Sequence, residues 1–434
     1  MDHSDIGQRS ERFANYMKDL AGALAHGQRT GPLTSYCTGL LSPCRRKSVE
    51  PMAALTAPRQ TAAQHQRMLH FIGQGTWSDA AVLERVRMHT LPKITGCGAI
   101  TSWIVDDTAF PKKGTHSVGV ARQYCGQLGK QDNCQAAVSL SIANESASFP
   151  IAYQLYLPKV WADDPGRREK AGVPETVVFK TKPQIALDQL KWACDADVPR
   201  GVVLGDAGYG GDSAFRAGVT DLKLTYVMGI KANTNVWAPG TAALAPSPHS
   251  GRGRPAVRPV HDDKNKPVSV EELARSLPKS CWQTISWREG TNTRLSSRFA
   301  RVRVRPAHDR NIATEKIPEE WLLIEWPEDE DEAMKFWLST LDATVTFAHL
   351  VYMTKMRWRI ERDYLELKQE VGLGHYEGRS WRGFHHHATL CIASYAFLVS
   401  ERAAFPPSES LTRWQFAIPA IPEGYSPRGA AVAH

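Results

Sequence analysis

The sequence predicts an α/β protein in which helices pack on a mixed β-sheet. Three observations support this fold class. Residues 1 to about 90 show helical periodicity, with an apolar stripe within residues 12–20. From about Gly98 the pattern changes to short apolar or alternating runs, which are typical of strands. Helical segments then alternate with further strands, as in sheets that carry helices on their faces.

The N-terminal part is expected to be helical in separate pieces. After the helix around residues 12–20 we expect a loop over 31–46, which contains proline and cysteine. Helices should follow over 64–73 and 78–88, the second with Ser78 as its N-cap. The Gly-x-Gly break between these two helices fits either a helix-turn-helix or a simple packed helical pair.

The central part supplies the sheet and two carboxylates. We expect a helix over 181–196 and strands over 102–106, 135–142, 151–157, 201–206 and 224–230. Asp106 and Asp206 each end one of these apolar runs, so we expect both carboxylates at strand ends. An aspartate at a strand end is often a turn former, and one alone says little about function.

The stretch from Arg357 to Lys368 is the most informative in the chain. Arg357 precedes Glu361 by four residues and Lys368 follows it by seven, so all three side chains share one face of a helix. A carboxylate between two cations suits a metal ion beside a phosphate. Together with Asp106 and Asp206, this pattern indicates a nuclease-type active site. Ordinary ion pairing on a helix surface is the alternative.

Composition narrows the class of partner and compartment. The 434 residues carry a formal charge of +8 and a pI near 9.0, which modestly favours a polyanionic partner. Eight cysteines without a C-x-x-C pair indicate reduced thiols in a cytosolic protein. No signal-peptide pattern opens the chain, and no apolar run approaches ~20 residues. We therefore expect a cytoplasmic protein without a membrane anchor, and in a bacterium one associated with the nucleoid.

Four stretches of the chain resemble one known family. They are residues 103–114, 119–126, 205–210 and 357–382. In these motifs the chain is similar to the DDE-superfamily transposases of bacterial insertion sequences, in the group with a tyrosine–arginine–glutamate–lysine signature. The likeness covers roughly residues 95–400. One departure is that Thr354 stands where the signature tyrosine belongs, while Tyr352 lies two residues earlier.

The resemblance implies a ribonuclease-H-like catalytic core. The 155 positions between Asp206 and Glu361 (361 minus 206) exceed what a bare core needs, so a mostly β insertion domain should interrupt it. The insertion begins with a Pro/Gly/Ser-rich stretch and then has strand-like runs at 280–288, 296–305 and 321–326. The expected domains are a helical DNA-binding domain 1–95, core 96–232, insertion 233–341, core 342–405 and a tail 406–434.

The resemblance also implies roles for the three carboxylates. Asp106, Asp206 and Glu361 would bind two Mg²⁺ ions, with Mn²⁺ as a possible substitute, and catalyse phosphodiester cleavage. Asp107 competes with Asp106, because neighbours on a strand point to opposite faces. The family pattern places the catalytic aspartate directly after the apolar run, which favours Asp106.

Basic and aromatic residues supply candidate DNA contacts. Arg357 and Lys368 would hold a phosphate. Three arginines alternate with valines and so lie on one face of a strand: Arg301, Arg303 and Arg305. This face could bind a polyanion, or it could belong to a solvated edge strand. Arg252 and Arg254 match the core of an AT-hook, or else belong to a basic loop. Trp326 is a weak candidate for stacking on a flipped base, with core packing as its alternative.

These observations favour a DNA transposase that moves an insertion sequence by cut-and-paste transposition. Its partners would be double-stranded DNA, as terminal inverted repeats and target, and a second copy of the chain in a homodimer. Two alternatives stay open. One is a transposase-derived DNA-binding regulator without catalysis, for which Thr354 leaves room, and the other is a non-transposing nuclease of the same fold.

Overall fold

The N-terminal part is built from helices, as predicted. A computed structural model describes residues 3–241, 265–288, 294–307, 317–331 and 335–406. The helices of this part are α1 His3–Ala21, α2 Thr30–Leu41, α3 Val49–Thr56, α4 Thr61–Gly73 and α5 Asp79–Gly96. Ser78 caps α5, because its side chain accepts a hydrogen bond from the Ala81 N–H.

The loop expected over residues 31–46 is wrong for most of its length, because α2 occupies it. Pro32 lies in the first turn of α2, where the missing N–H has no helical partner to lose. Apolar side chains on one face of this helix are buried and outweigh the turn-forming residues: Leu33, Tyr36, Cys37 and Leu40.

The central part contains the strands that the sequence predicts, with two additions. Its strands are β1 Ser102–Pro111, β2 Ala121–Cys125, β3 Lys130–Ala143, β4 Ser148–Leu155, β5 Val202–Gly205 and β6 Tyr226–Ile230. Its helices are α6 Lys159–Ala162, α7 Pro165–Ala171, α8 Lys182–Asp195, α9 Ala207–Gly210 and α10 Ser213–Asp221. Strand β1 runs on past its apolar segment, and the β2 strand was not predicted.

Strands dominate the segment before the last three helices. They are β7 Asn235–Trp237, β8 Val268–Ser269, β9 Trp282–Arg288, β10 Arg294–Pro306, β11 Glu320–Glu325 and β12 Lys335–Ser339, with helix α11 Val270–Ser276 among them. The chain then forms α12 Phe347–Lys355, α13 Trp358–Gln369 and α14 Trp381–Ala404.

One mixed sheet joins these strands, so the predicted mixed α/β class is confirmed. Its order is β2-β3-β1-β5-β6-β12-β11-β10-β7-β8, with β4 also on β3 and β9 also on β10. Strands β1, β5 and β6 are parallel to one another, while β3 is antiparallel to β1. Strand β12 pairs antiparallel with β6, so the strands of residues 233–341 continue the sheet rather than form a separate one.

Helix α14 connects the N-terminal helices to the sheet. Most of its side chains are buried, and it packs against α2, α4, α5 and β4. The Tyr16 hydroxyl donates to the Ala393 carbonyl over 3.0 Å, which fixes α1 against it. A single apolar cluster therefore includes both Phe13 and Val399. None of the described helices is long and apolar enough to span a membrane.

Candidate functional site

Two adjacent aspartates of β1 face opposite sides of the sheet. Asp106 is paired with Ser139 of β3, and its Oδ2 accepts a hydrogen bond of 2.7 Å from Arg357 beside α13. Asp107 forms an ion pair of 2.6 Å with Lys182 at the start of α8. Asp106 lies inside β1 rather than at its end, because pairing with β3 extends the strand to Pro111. The expectation of a strand-end position for Asp106 is therefore wrong.

Asp206 follows the neighbouring strand β5. Ile104 pairs with Leu204 in parallel register, so Asp106 and Asp206 both lie two residues beyond this pair on adjacent strands. Asp206 is the N-cap of α9, and its Oδ1 accepts from the Gly208 N–H over 2.8 Å. This local bond fixes the carboxylate at the carboxyl edge of β5, where the sequence placed it.

The third carboxylate comes from α13, and one guanidinium joins it to the sheet. Arg357 is the N-cap residue of α13. Its Nη1 donates to Asp106 over 2.7 Å and its Nη2 donates to Glu361 over 2.5 Å. The four-residue offset between Arg357 and Glu361 therefore forms the contact that the helical period predicts. Glu361 keeps 61% of its side chain exposed, so it stays accessible beside the partly buried aspartate.

Burial and like charge control the electrostatics of this site. Burial is the largest influence on Asp106 and, with the negative charges of Asp206 and Asp107, raises its pKa to about 7 despite the opposing effect of Arg357. Burial disfavours the charged form of Arg357, yet the surrounding carboxylates of Asp106, Glu361 and Asp206 raise its pKa overall. The site therefore carries more negative charge than its one arginine neutralises.

Lys368 lies on the same side of α13 as Arg357 but contacts a different part of β1. Its Nζ donates to the Ala109 carbonyl over 2.9 Å and lies 5.1 Å from the centre of the Phe110 ring. Burial lowers the pKa of this amine. The two cations thus contact β1 three residues apart, which places them along the strand that carries Asp106.

Comparisons with known proteins identify the family of this chain. A family model described as DDE superfamily endonuclease matches residues 19–294. The chain belongs to this superfamily. The matched range holds Asp106 and Asp206 and ends before Glu361.

One relative is the probable transposase for insertion sequence element IS701 from Microchaete diplosiphon. It is 28% identical over 196 residues, which are 45% of this chain. The match spans about half of that relative, 47% of its length. Membership of the DDE superfamily thus has the support of both comparisons.

Two tyrosines near the carboxylates of this DDE protein were missed by the sequence analysis. The Tyr364 hydroxyl is 2.7 Å from the Ser139 hydroxyl, on the face of β3 that Asp106 shares. Tyr209 follows Asp206 by three residues and is buried, and its hydroxyl has no hydrogen-bond partner in the described part of the chain. Tyr364 stands three residues after Glu361, a spacing that places neighbours on one helix face and was a usable signal.

The residues at and near the signature tyrosine position are bonded to groups other than the three carboxylates. Thr354 is buried, and its hydroxyl donates to the Val351 carbonyl of its own helix over 2.7 Å. The Tyr352 hydroxyl donates to Glu145 over 3.2 Å. Burial and this carboxylate raise the pKa of Tyr352 to about 12. The Thr354 and Tyr352 hydroxyls thus donate to Val351 and Glu145.

The three arginines of β10 share a face, and their charge already has protein partners. Arg301 donates to the Val345 carbonyl over 2.6 Å and lies over the ring of Trp321. Arg305 forms an ion pair of 3.0 Å with Glu319, and Arg303 donates to the Glu319 carbonyl. The negative charge of Glu319 therefore reduces the repulsion among these arginines, which was the reason for considering a polyanionic partner at this strand.

The remaining candidates for DNA contacts are Trp326, which is packed against other residues, and two arginines that lie outside the described residues. The Trp326 indole N–H donates to the Glu330 carbonyl over 2.9 Å, and its ring meets Trp282 edge-on at 5.6 Å. These contacts fit the packing alternative for Trp326 better than base stacking. Arg252 and Arg254 lie outside the described residues.

The described residues contain no ready-made cluster of metal ligands. Within the described ranges, no three or more His, Cys, Asp or Glu side chains are grouped closely enough to bind one metal ion. The three histidines of the run His385–His387 each contact a different part of the protein. His385 accepts from the Leu155 N–H, His386 stacks on Trp77 at 3.6 Å, and His387 bonds the Tyr36 hydroxyl.

Proposed function

We propose that this DDE protein is a transposase that cleaves the ends of an insertion sequence and transfers them to target DNA by cut-and-paste. The observation that carries the proposal is the bridge of Arg357 between Asp106 and Glu361, with Asp206 on the next strand. The sequence relationship to a probable transposase supports the same activity.

We propose a ribonuclease-H-like core for this chain. Three antiparallel strands, β4, β3 and β1, are followed across the sheet by two parallel strands, β5 and β6, which supports that assignment. Residues 233–341 would be the insertion, residues 1–95 the helical DNA-binding part and residues 406–434 a tail. In this arrangement the insertion extends the core sheet through β12.

The carboxylates have the chemistry of a divalent-cation site. Asp106, Asp206 and Glu361 offer hard oxygen donors. Burial, and after it the neighbouring negative charges of Asp206 and Asp107, raise the pKa of Asp106, and a bound cation would stabilise its ionised form. We assign two Mg²⁺ ions, with Mn²⁺ as a substitute, to these three residues. Bound metal would polarise the scissile phosphate and lower the pKa of the attacking water. Arg357 would have to release at least one carboxylate for all three to become ligands.

The protein's own residues would position the DNA. Arg357, once released, can bind a phosphate bidentately, and Lys368 offers a point charge farther along β1. Glu361 is exposed and thus accessible from the DNA side. The partners are double-stranded DNA, as element ends and target, and a second copy of the chain in a homodimer. The compartment would be the bacterial cytoplasm, at the nucleoid.

One observation favours a second candidate, a transposase-derived DNA-binding regulator without catalysis. Thr354 occupies the signature tyrosine position and is turned into its own helix. A protein that has lost this contact would still bind DNA through its cations. A nuclease that cleaves without strand transfer is separated from a transposase by the products of the reaction.

The test is Mg²⁺-dependent cleavage of a labelled duplex that carries the genomic sequence flanking the coding region. We expect the wild type to cleave and to join the freed end to a target plasmid, whereas Glu361→Gln does neither. Glu370→Gln changes an exposed glutamate at the C-terminal end of the same helix and should retain activity. If the wild type binds the duplex without cleaving it, the proposed transposase function is wrong and the DNA-binding regulator takes its place.

A further inference from the structure

The β2–β3 hairpin extends beyond the rest of its part of the sheet. Strand β1 pairs with β3 only as far as Cys134, and β4 pairs with β3 only from Ala137 onward. Residues 121–132 therefore form a two-stranded antiparallel ribbon of β2 with the start of β3, and at its base the Asn133 carbonyl still accepts from the Lys112 N–H over 2.9 Å. Tyr124 is 61% exposed on this ribbon, although large aromatic side chains are usually buried.

The register of the strands places the exposed side chains of the ribbon on the active-site face. Asp106 is opposite Ser139, and paired residues point to the same face of a sheet. Arg122 and Tyr124 are opposite residues six and eight positions from Ser139 on β3 (139 minus 133 and 139 minus 131). Both separations are even, so Arg122 and Tyr124 share the face of Asp106.

The charge of this surface suits a polyanion. Arg122 is exposed on the Asp106 face and Lys113 is exposed on the adjoining loop, so this surface carries +2 (one plus one). Lys130 and Asp132 lie nine and seven positions from Ser139, which are odd separations, so both point to the opposite face. Asp132 is 3.4 Å from Lys130. The loop that carries Lys113 is fixed to the ribbon, because the Asn133 side-chain amide donates to the carbonyls on both sides of Lys113 over 2.6 and 2.9 Å.

We propose that this ribbon binds a groove of the same duplex that occupies the active site, with Tyr124 and Arg122 inside the groove and Lys113 on a phosphate. A two-stranded ribbon fits the major groove of B-DNA. At ~3.3 Å per residue, Arg122 and Tyr124 lie roughly 20–26 Å from Asp106 along the strand. That distance corresponds to roughly six to eight base pairs from the cleaved bond. The inference rests on the proposed function, because it takes DNA as the occupant.

The experiment measures affinity against duplex length without cleavage. Duplexes of the flanking genomic sequence would extend about 4, 8 and 12 base pairs to one side or the other of the cleaved junction, and fluorescence anisotropy in EDTA would give Kd. We expect wild-type affinity to rise about tenfold between the shortest and longest duplex on one side. Tyr124→Ala and Arg122→Ala should lose most of this rise, and Tyr124→Phe should retain it.

A matched control separates the ribbon from exposed aromatics in general. Phe179 is 39% exposed and precedes α8. Lys182 of α8 forms an ion pair with Asp107, which points to the face opposite Asp106. Phe179→Ala should therefore bind DNA like the wild type. Lys113→Ala should reduce the slope of log Kd against log salt by about one, because it removes one phosphate contact. Unchanged melting temperatures would show that the variants are folded.

The outcomes distinguish this inference from the function on which it rests. A wild type that cleaves, with Tyr124→Ala and Arg122→Ala showing the same length dependence, would overturn the ribbon assignment and leave the transposase intact. A wild type that binds no duplex would overturn both. If Tyr124→Ala changes the sedimentation of the DNA-free protein, the ribbon is a contact between copies of the chain and the DNA assignment is wrong.

Discussion

Arg357 sets the electrostatic state of the site at the scale of single residues. Its guanidinium binds a buried carboxylate from β1 and an exposed carboxylate from α13, 251 and four residues away in the chain. Asp106 is the more costly of the two to keep charged, because only 14% of its side chain is exposed and Asp206 adds like charge. In this structure the arginine is therefore a counterion for both carboxylates.

The neighbouring aspartates give a direct test of which one serves the site. Asp106→Asn should reduce Mg²⁺-dependent cleavage by about 100-fold or more, because it removes a proposed metal ligand. Asp107→Asn should keep cleavage within about tenfold, since it removes only a partly exposed ion pair with Lys182, worth about 0–1 kcal/mol. The measurement is the initial rate of cleavage at saturating Mg²⁺. The reverse order of effects would transfer the catalytic role to Asp107.

At the scale of elements, α13 is fixed from the side opposite the face that carries Glu361. Asp363 follows Glu361 by two residues, about 200° around the helix, and is fully buried. Its Oδ1 accepts from the hydroxyls of Ser148 on β4 and Tyr395 on α14, over 2.7 and 2.8 Å. Burial raises the pKa of this carboxyl to about 7. The position of Glu361 thus depends on an acid buried behind it.

The Asp363 carboxyl should make stability depend on pH. Between about pH 4 and 7 the folded state keeps a proton that the unfolded state has lost, so stability falls as pH rises through this window. Asp363→Asn should remove this contribution, and the free energy of unfolding of the variant relative to wild type should rise by about 1.4 kcal/mol per pH unit. The measurement is urea unfolding at pH 5, 6, 7 and 8.

A surface aspartate provides the control for this pH dependence. Asp188 is 52% exposed and pairs with Lys180, so Asp188→Asn should show a curve parallel to that of the wild type. If Asp363→Asn also ran parallel to the wild type, the carboxyl would be ionised in the folded protein and the account of its burial would be wrong.

At the scale of the whole molecule, the sheet is continuous from β2 to β8 through the junction of β6 and β12. Leu338 of β12 is completely buried opposite Met228 of β6 and Leu322 of β11. A shared core at this junction should couple the strands that follow residue 233 to those that carry Asp106 and Asp206. We therefore expect both parts to unfold together.

Leu338→Ala tests this coupling. The cavity should cost about 2–5 kcal/mol and lower the stability of both parts of the sheet equally. Hydrogen exchange measured separately on peptides from β1 and β11 would report the two parts. Leu295→Ala, at a side chain that is 39% exposed on β10, should change stability by less than about 0.5 kcal/mol. Faster exchange in β11 alone would show that the second part unfolds independently.

The sequence predicted the elements that have a clear local apolar pattern, and it missed elements whose packing partners are distant in the chain. Strands β1, β3, β5, β6, β9, β10 and β11 and helix α8 are where their apolar patterns predicted them. The loop assigned to residues 31–46 failed, because Pro32 was read as a breaker although it lies in a first turn. Strand β12 and helix α12 had no assignment from the sequence. Their partners, β6 and the face of the sheet, are too far along the chain for a local pattern to indicate.

The sequence by itself determined which side chains share a face. The offsets from Arg357 to Lys368 and the adjacency of Asp106 and Asp107 fix directions through helical and strand periods alone. Only the tertiary structure decided which partner each charge meets. The order of strands brings Arg357 to Asp106 and gives the β10 arginines Glu319, while Thr354 is buried against its own helix. Periodicity is a local property of the backbone, whereas these partners depend on how distant segments pack.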